Sequence, residues 1–472
     1  MANQGFERVG PVTYELRGSP QDRAPARVFA DEVLFEKIRG DQSIEQLLNV
    51  ATLPGIVGHV LGMPDMHEGY GFPVGGVAAT ALPDGVISPG GIGFDINCGV
   101  RLLASRCKRA ELGDVTRLVD ELMRTIPAGF GRHGRLELTL PQLNDVLARG
   151  ARAVIEEHGL GRLDDLERIE DGGCLAEAAP AEVSDRAKER GRDQLGTLGG
   201  GNHFLEVQVV DAIYDAGAAA VLGLFEGQVT VLLHTGSRGL GHQVCTDYVR
   251  RMDETQGRHH IQLPDRQLAC APFSSAEGRA YFGAMCAAAN FAWANRQVLT
   301  HRVRQVFRGL LAGEDLRLVY DVAHNIAKIE VHGGRKVCVH RKGATRAFGP
   351  GERDLPVAYR ALGQPVLIPG SMGTASFVLV GSDAARDIAL ASACHGAGRA
   401  MSRAEAKRRM QGATLRRELE QRGIVVCCPS NAELAEEAPA AYKDVERVVD
   451  VVERAGIARK VARLRPIGVL KG

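Results

Sequence analysis

The sequence predicts a mixed α/β (α+β) fold with helical insertions, and three observations support this prediction. The chain has 472 residues, enough for one large catalytic domain or for two or three average ones. Short strand-like segments stand beside glycine-rich runs, whereas two stretches, about 108–192 and 274–312, show helical spacing of apolar residues. No repeat period and no long Pro/Ser-rich linker divides the chain, so we predict a single domain over 1–472.

The strand-like segments adjoin polar or glycine-rich loops. They are residues 229–233 before His234, 316–322 before His324, 365–368 before PGSMG, and 204–210 after GGGNH. Polar groups at several strand ends are typical of a site built from loops at the edge of a rigid sheet.

The two helical stretches differ in composition. The first is charged and rich in Leu and Ala, with apolar residues three and four positions apart. The second begins with a capping-box pattern, Ser274 with Glu277, ahead of a periodic apolar run from Phe282 to Val306. We predict mainly helical insertions at both places.

Composition excludes several classes of protein. Lys plus Arg number 58 and Asp plus Glu 57, so no global charge attracts nucleic acid or a membrane, and any polyanion must bind locally. The apolar runs are too short for a transmembrane helix, and the N-terminus lacks the pattern of a signal peptide, so we expect a cytoplasmic protein. The 10 cysteines show no paired spacing, which argues against a disulfide framework.

Five residues form a candidate metal site. Among the 14 histidines, His203, His234 and His324 each stand where a strand meets a loop, and GGIGFDINCGVR adds Asp95 and Cys98. Imidazole, thiolate and carboxylate together suit Mn²⁺, Co²⁺ or Zn²⁺, and a thiolate can bridge two ions that clamp a phosphoryl group. The alternative is that Cys98 is a small residue in a packed glycine turn and that each histidine is a satisfied core residue.

His395 is a candidate nucleophile. It lies in SACHGAGRAMSR, where glycine amides and Arg399 could hold a phosphate. A neutral histidine can attack phosphorus, but the motif alone favours a histidine that binds phosphate without covalency. IPGSMGTAS could also cradle a phosphate, and because it lacks the G-K-[ST] ending we predict no P-loop fold.

Basic residues cluster locally. Arg186, Lys188, Arg190 and Arg192 precede the His203 loop, Arg238 follows His234, and HRKGATR adds Arg341, Lys342 and Arg346. Each run alone is typical of a solvated face, but together they suggest contacts to a nucleic-acid backbone. Aromatic residues are only 5%, so no base-stacking platform is expected.

Nine motifs in order carry a family resemblance that runs from about Met63 to the C-terminus. They are GMPDMHEGYGFPVGG, GGIGFDINCGVR, QLGTLGGGNHFLE, LHTGSRGLGH, DVAHNIAK, PGSMGTASF, CHGAGRAMSR, AYKDVERVVDV and IGVLKG. In these motifs the sequence closely resembles the RtcB family of RNA-splicing ligases. The resemblance implies an RtcB-type catalytic domain, unlike P-loop and lysine-nucleotidyltransferase folds. It also implies that RNA 3′-phosphate or 2′,3′-cyclic phosphate ends are joined to 5′-hydroxyl ends with GTP and Mn²⁺.

The resemblance also implies roles for individual residues. His395 becomes guanylylated, Asp95, Cys98 and His203 hold one Mn²⁺, and Cys98, His234 and His324 hold the other. The implied GTP pocket consists of Asn202, His203, Phe204, Leu205, Glu206, His324, Asn325, Pro369, Gly370, Ser371, Met372, Ser376, His395, Gly396, Ala397, Gly398, Tyr442 and Lys471. Arg190, Arg238 and Arg399 are the candidate RNA contacts. Asp65 and His67 lie in a family motif without an assigned role.

Two other classes of function remain open from the sequence. A metal-dependent phosphohydrolase or nuclease needs two metals and a phosphate cradle, and a GTP- or RNA-binding repair factor needs no turnover at all. The role of His395 distinguishes the ligase from both alternatives, because neither of them requires a covalent nucleophile. We expect a monomer that uses RNA as its partner, with an archease-like activator as a further partner and no membrane association.

Overall fold

The computed structural model describes residues 5–16, 24–129, 131–311 and 313–472, which fold as the mixed α/β protein that the sequence predicts. Its strands are β1 (Glu7–Gly10), β2 (Thr13–Leu16), β3 (Ala26–Phe29), β4 (Ile56–His67), β5 (Val74–Ala81), β6 (Val86–Ile87), β7 (Gly99–Lys108), β8 (Phe204–Ile213), β9 (Gln228–Thr235), β10 (Ala271–Pro272), β11 (Arg317–Ala323), β12 (Asn325–His332), β13 (Arg335–Lys342), β14 (Ala344–Arg346), β15 (Pro365–Ile368), β16 (Ser376–Gly381), β17 (Ser392–Cys394), β18 (Val425–Cys427) and β19 (Ala458–Lys471). Its helices are α1 (Glu32–Arg39), α2 (Ser43–Val50), α3 (Val115–Thr125), α4 (Leu140–Arg149), α5 (Ala151–His158), α6 (Asp185–Gly191), α7 (Ala216–Leu222), α8 (Arg238–Thr255), α9 (Ala276–Leu310), α10 (Ala385–Ala389), α11 (Arg403–Arg409), α12 (Gly412–Gln421), α13 (Asn431–Glu436) and α14 (Val445–Arg454).

Two large sheets form the framework. The first has the strand order β1-β2-β3-β4-β5-β13-β12 and is antiparallel except for the parallel pair β3 and β4. The second has the order β11-β7-β9-β8-β19-β16-β15, all antiparallel, with β18 parallel to β19. The chain passes from the second sheet to the first between β11 and β12, at His324.

The hydrophobic core lies on both faces of the second sheet. Alternate residues of β8 face opposite ways, so Leu205 packs in the same cluster as α9 while Phe204 belongs to the cluster on the other face, which also contains α7. The first sheet packs against α1, α2 and α14 through a third cluster. Burial of these apolar faces is the main source of stability.

Helix α9 runs through the interior for 35 residues and packs against α3, α4, α5 and α8. Its many alanines allow close approach, and Trp293 is fully buried. Ser275, not Ser274, is the N-cap, and its side chain accepts from the Gly278 amide. The N3 residue is Gly278, which cannot complete a capping box, so the predicted box of Ser274 with Glu277 is wrong.

The stretch 108–192 contains four separate α-helices, α3 to α6, joined by loops and short 3₁₀ turns. In α4, Thr139 and Gln142 form a capping box at the N-terminus. Although α9 is long, neither it nor any other helix in the described ranges is apolar enough over its length to cross a membrane.

Candidate active site

The candidate metal ligands lie close together where neighbouring strands of the second sheet begin or end. β7 and β8 begin just after Cys98 and His203, whereas His234 and His324 lie at the ends of β9 and β11. Gly99 pairs with Thr235 and Ala323, and Phe204 pairs with His234. In an antiparallel sheet the start of one strand lies beside the end of its neighbour, so this strand order brings the four segments together.

Two clusters of ligand atoms share the Cys98 thiol. One comprises Cys98, His234 and His324, the other Asp95, Cys98 and His203, and within each cluster the ligand atoms lie within 4.8 Å of one another. Sγ of Cys98 is 3.4 Å from Nε2 of both His203 and His234. Nε2 of His234 is 3.3 Å from Nε2 of His324, and Nε2 of His203 is 2.8 Å from Asp95 Oδ2.

Burial disfavours the charged form of the three imidazoles. It lowers the pKa of His203, His234 and His324, against a raising effect of Asp95 on His203. Burial likewise raises the pKa of the Cys98 thiol, and the Asp95 carboxylate raises it further. Burial alone raises the pKa of Asp95, but His203 and Arg238 outweigh it and the net pKa is lowered. A carboxylate and neutral imidazoles are ready donors, while the thiol needs a cation to ionise it.

The donor set fits a divalent cation. Ligands held 2.0 to 2.3 Å from one tetrahedral ion lie about 3.5 Å apart, close to the separations around Cys98. Nδ1 of His234 and of His324 is buried without a hydrogen-bond partner in the described part of the chain. The orientation of the His234 ring therefore depends on packing, including an edge contact with Phe204 at 5.3 Å between centroids.

His395 follows β17 and is held by Asp65 of β4. Its Nδ1 lies 2.6 Å from Asp65 Oδ2, and its backbone amide donates to the same oxygen at 3.2 Å. Asp65 is fully buried, and its backbone approaches Gly398 so closely that a Cβ there would lie 2.2 Å from the Asp65 carbonyl oxygen. With Nδ1–H directed at the carboxylate, the Nε2 lone pair of His395 is free to react.

A pocket of about 380 Å³ joins His395 to the ligand clusters. The ring of His395 stands edge-on to His324, with 4.9 Å between centroids. The predicted nucleotide residues that line the pocket are Asn202, Phe204, His324, Asn325, Pro369, Gly370, Ser371, Met372, His395, Gly396, Ala397, Gly398, Tyr442 and Lys471. These residues come from six separate segments of the chain.

Four predicted nucleotide residues do not line this pocket. The Leu205 side chain packs in the core with α9. Glu206 and Ser376 lie just behind the wall, where Gln208 donates to both at 2.7 and 3.0 Å and Ser376 accepts from the Gly370 amide. His203 lies in the Asp95 cluster. Burial raises the pKa of the Glu206 carboxyl to about 8.

Asn325 lines the pocket but also braces the ligand loop. Its side-chain amide donates to the Asp95 carbonyl at 3.1 Å, and its side-chain oxygen accepts from the Gly343 amide at 2.9 Å. Its own carbonyl accepts from the Asn97 amide at 2.7 Å. The structure therefore gives this residue a bracing contact that the sequence did not suggest.

The sequence did not predict a cluster of interacting polar and charged side chains around Glu437. Its carboxylate accepts from Arg399 at 3.2 Å, from Arg403 at 3.0 Å and from the Tyr442 hydroxyl. Arg399 also lies over the Tyr442 ring, 5.1 Å from its centroid. Glu437 immediately follows helix α13 and has no motif of its own, so no local signal in the sequence could have found it.

The predicted RNA contacts lie in different surroundings. Arg399 lines the pocket, and Arg190 is exposed on α6, bonded to Gln243 at 2.9 Å. Arg238 instead contacts Nδ1 of His203 at 3.0 Å.

The basic run HRKGATR does not form an RNA-facing surface. Arg341 is buried against Glu330, and Arg346 against Glu170 and Asp171. Lys342 lines the pocket but donates to the carbonyls of Tyr70 and Phe72, and burial lowers its pKa to about 7. The suggested backbone contacts from this run are therefore wrong for Arg341 and Arg346.

Fold and site together define a mixed α/β protein with two candidate cation clusters beside a histidine that a buried carboxylate orients. The family profile of tRNA-splicing ligase RtcB matches residues 46–472. The chain belongs to the RtcB family, the tRNA-splicing ligases.

Individual relatives match over nearly the whole chain. The tRNA-splicing ligases RtcB of Thermococcus kodakarensis and Archaeoglobus fulgidus are each 53% identical, over 99% of this chain and 99% of their own. The RNA-splicing ligase RtcB of Mycobacterium tuberculosis is 54% identical, over 90% of this chain and 100% of its own. The family predicted from the motifs is thereby confirmed.

Proposed function

We propose that this protein is an RNA ligase that uses GTP and Mn²⁺ to join RNA 3′-phosphate or 2′,3′-cyclic phosphate ends to 5′-hydroxyl ends. One observation carries the proposal: Asp65 orients His395 in a pocket that is also lined by Asp95, Cys98, His234 and His324 of the two clusters. A hydrolase needs only the clusters and a water, whereas an oriented, neutral imidazole is what covalent transfer to histidine requires.

In the proposed site, Asp95, Cys98 and His203 hold one Mn²⁺ and Cys98, His234 and His324 the other. The bound cations supply charge compensation to the phosphates of GTP and RNA. Asn202, Ser371, Lys471 and the glycines beside His395 face the nucleotide, and Glu206 lies behind the pocket wall. Tyr442, fixed by Glu437 and Arg399, offers its ring to the guanine base.

His395 carries the reaction in this proposal. Asp65 accepts a hydrogen bond from Nδ1–H and stabilises the positive charge that develops on the ring as Nε2 attacks the α-phosphate of GTP and pyrophosphate leaves. The guanylyl group then passes from Nε2 to the RNA 3′-phosphate, and the 5′-hydroxyl displaces GMP. A cyclic phosphate is first hydrolysed to the 3′-phosphate in the same pocket.

The RNA approaches from the side of Arg190, Arg238 and Arg399 in this scheme. Arg238 now donates to Nδ1 of His203, so it can reach a phosphate only after it leaves that nitrogen. We further propose a cytoplasmic monomer that acts in tRNA splicing or RNA repair, with an archease-like activator as partner.

The test is incubation with α-labelled GTP and Mn²⁺, followed by denaturing electrophoresis. We expect an acid-labile, base-stable label on the wild type, none on His395→Ala, and a full label on His133→Ala, a matched change at an exposed histidine. RNA with cyclic phosphate and 5′-hydroxyl ends should be joined by the first and third proteins only.

Other results would point to the alternatives. Release of phosphate from RNA ends by an unlabelled protein would identify a metal-dependent phosphohydrolase. Binding of GTP or RNA without label or turnover would identify a repair factor. A full label on His395→Ala would place the nucleophile elsewhere.

A further inference from the structure

The side chain of Arg296, in the middle of α9, lies directly beneath the Cys98 clusters. It is fully buried, and each of its five N–H groups has an acceptor. Nε and Nη2 donate to the two carboxylate oxygens of Asp321 at 2.8 and 2.9 Å. Nη1 donates to the carbonyls of Asn97 and Thr235 at 2.8 and 2.9 Å, and Nη2 also donates to Asn97 Oδ1 at 3.0 Å.

Each of these partners adjoins a different ligand of one cluster. Asn97 immediately precedes Cys98, Thr235 immediately follows His234, and Asp321 lies three residues before His324 on β11. One guanidinium thus connects the three segments that carry the Cys98–His234–His324 cluster. None of its bonds reaches the segment of His203, whose preceding residues Gly196 and Thr197 are held instead by Asn295.

Two local features show how closely the loop is built around this side chain. Asn97 has a φ of 51°, a left-handed conformation that costs energy in a non-glycine residue, and Arg296 accounts for the bonds of both its oxygens. At Gly99, a Cβ would lie 3.0 Å from Arg296 Cζ and 2.3 Å from the Val322 carbonyl oxygen. Only glycine next to Cys98 leaves room for the guanidinium.

We propose that Arg296 is the positioning residue of the Cys98–His234–His324 cluster, where it holds the three ligand segments at the spacing that one divalent cation requires. The inference rests on the metal centre of the proposed function. It adds that the two clusters depend differently on Arg296 for cation affinity. Loss of the Arg296 bonds weakens cation binding more at the His324 cluster, where it releases all three ligand segments, than at the Asp95 cluster, whose His203 segment Arg296 does not contact. A buried arginine that served only folding would affect both alike.

Arg304 provides a matched control on the same helix. It is also buried, forms a bidentate pair with Asp165 at 2.6 Å for both bonds, and donates to the Leu316 carbonyl at 2.8 Å. None of these partners adjoins a candidate ligand. Arg296→Lys and Arg304→Lys therefore remove similar bonds from one interior helix. The first removes them next to the candidate metal ligands, and the second removes them elsewhere.

The experiment is titration of the full-length, metal-stripped proteins with Mn²⁺ alone by calorimetry, repeated with Co²⁺ to follow the absorption band of thiolate bound to cobalt. His203→Ala and His324→Ala identify which binding step belongs to which cluster. We expect Arg296→Lys to weaken the His324-cluster step by about 10- to 100-fold and to reduce the cobalt–thiolate band of that step. The other step should change less than about threefold, and Arg304→Lys should bind as the wild type does.

Urea unfolding of the metal-free proteins shows whether the two lysine variants are equally destabilised. If Arg296→Lys does not fold, Asn97→Gly replaces it, because glycine tolerates the φ of 51° and removes one acceptor of Arg296. A wild-type His324-cluster affinity in the folded variant, or an equal loss at both clusters, overturns the inference.

The assay contains neither GTP nor RNA, so its outcome is separate from that of the ligase proposal. A wild type that binds two cations but shows no difference between the variants overturns only the role of Arg296. A wild type that binds no cation overturns the metal centre and this inference together.

Discussion

Replacement of Asp65 by Asn is the sharpest test of how His395 is prepared for reaction. The carboxylate is fully buried and accepts two bonds from His395, at 2.6 Å from Nδ1 and 3.2 Å from the backbone amide. Asn has nearly the same shape, so the change removes the charge without creating a cavity. An Asn that turns its NH₂ toward Nδ1 would also move the ring proton to Nε2, where it blocks attack.

The expected size follows from the bond that is weakened. A hydrogen bond to a charged group contributes about 1.5 to 3 kcal/mol, and 1.36 kcal/mol corresponds to tenfold in rate, so guanylylation should slow by about 10- to 150-fold. Inversion of the tautomer adds to this loss. The assay is the single-turnover rate of label transfer from α-labelled GTP at saturating Mn²⁺.

Asp450→Asn is the control, because Asp450 is exposed and pairs with Lys460, away from the pocket. It should react at the wild-type rate. The Asp65→Asn protein must also retain its urea midpoint, which shows that the slower reaction is not caused by unfolding. A rate within about threefold of wild type would refute the orienting role of Asp65.

Three further predictions follow from the same geometry. Cys98→Ala should lose both bound Mn²⁺ ions in elemental analysis whereas His203→Ala keeps one, because Cys98 belongs to both clusters; two ions in Cys98→Ala would disprove the shared ligand. Burial raises the pKa of the Glu206 carboxyl from 4.5 to about 8. Between these pH values the folded protein keeps a proton that the unfolded chain has released. The folded state therefore loses stability relative to the unfolded state as pH rises from 4.5 to 8. Between pH 5.5 and 7.5 the unfolding free energy of the wild type, measured in urea titrations, should therefore fall by up to about 3 kcal/mol relative to that of Glu206→Gln. Parallel plots of unfolding free energy against pH for the two proteins would contradict the raised pKa of Glu206. Arg190→Ala should reduce the slope of log affinity for RNA against log salt by about one, and an exposed-arginine control, Arg266→Ala, should leave it unchanged.

The chemical types of the site residues were readable from the sequence. Histidines at strand ends, a thiol and a carboxylate in a glycine-rich run, and His395 among glycines are local patterns, and each donor type has its own chemistry. The short strands before His234 and His324 were also predictable, because apolar, β-branched runs bounded by loops reflect local burial and backbone preference.

Contacts between distant segments were decided only by the tertiary structure. Asp65 reaches His395 across 330 residues, and Leu205 faces the core because β8 pairs with β9 and β19 in one register. Arg296 within α9 and Glu437 just after α13 belong to no motif, and their partners come from other parts of the chain. Local periodicity reports which face of an element is buried, but not which distant backbone or carboxylate that face meets, because the register between strands that are not consecutive in sequence and the packing of α9 are set by the whole core.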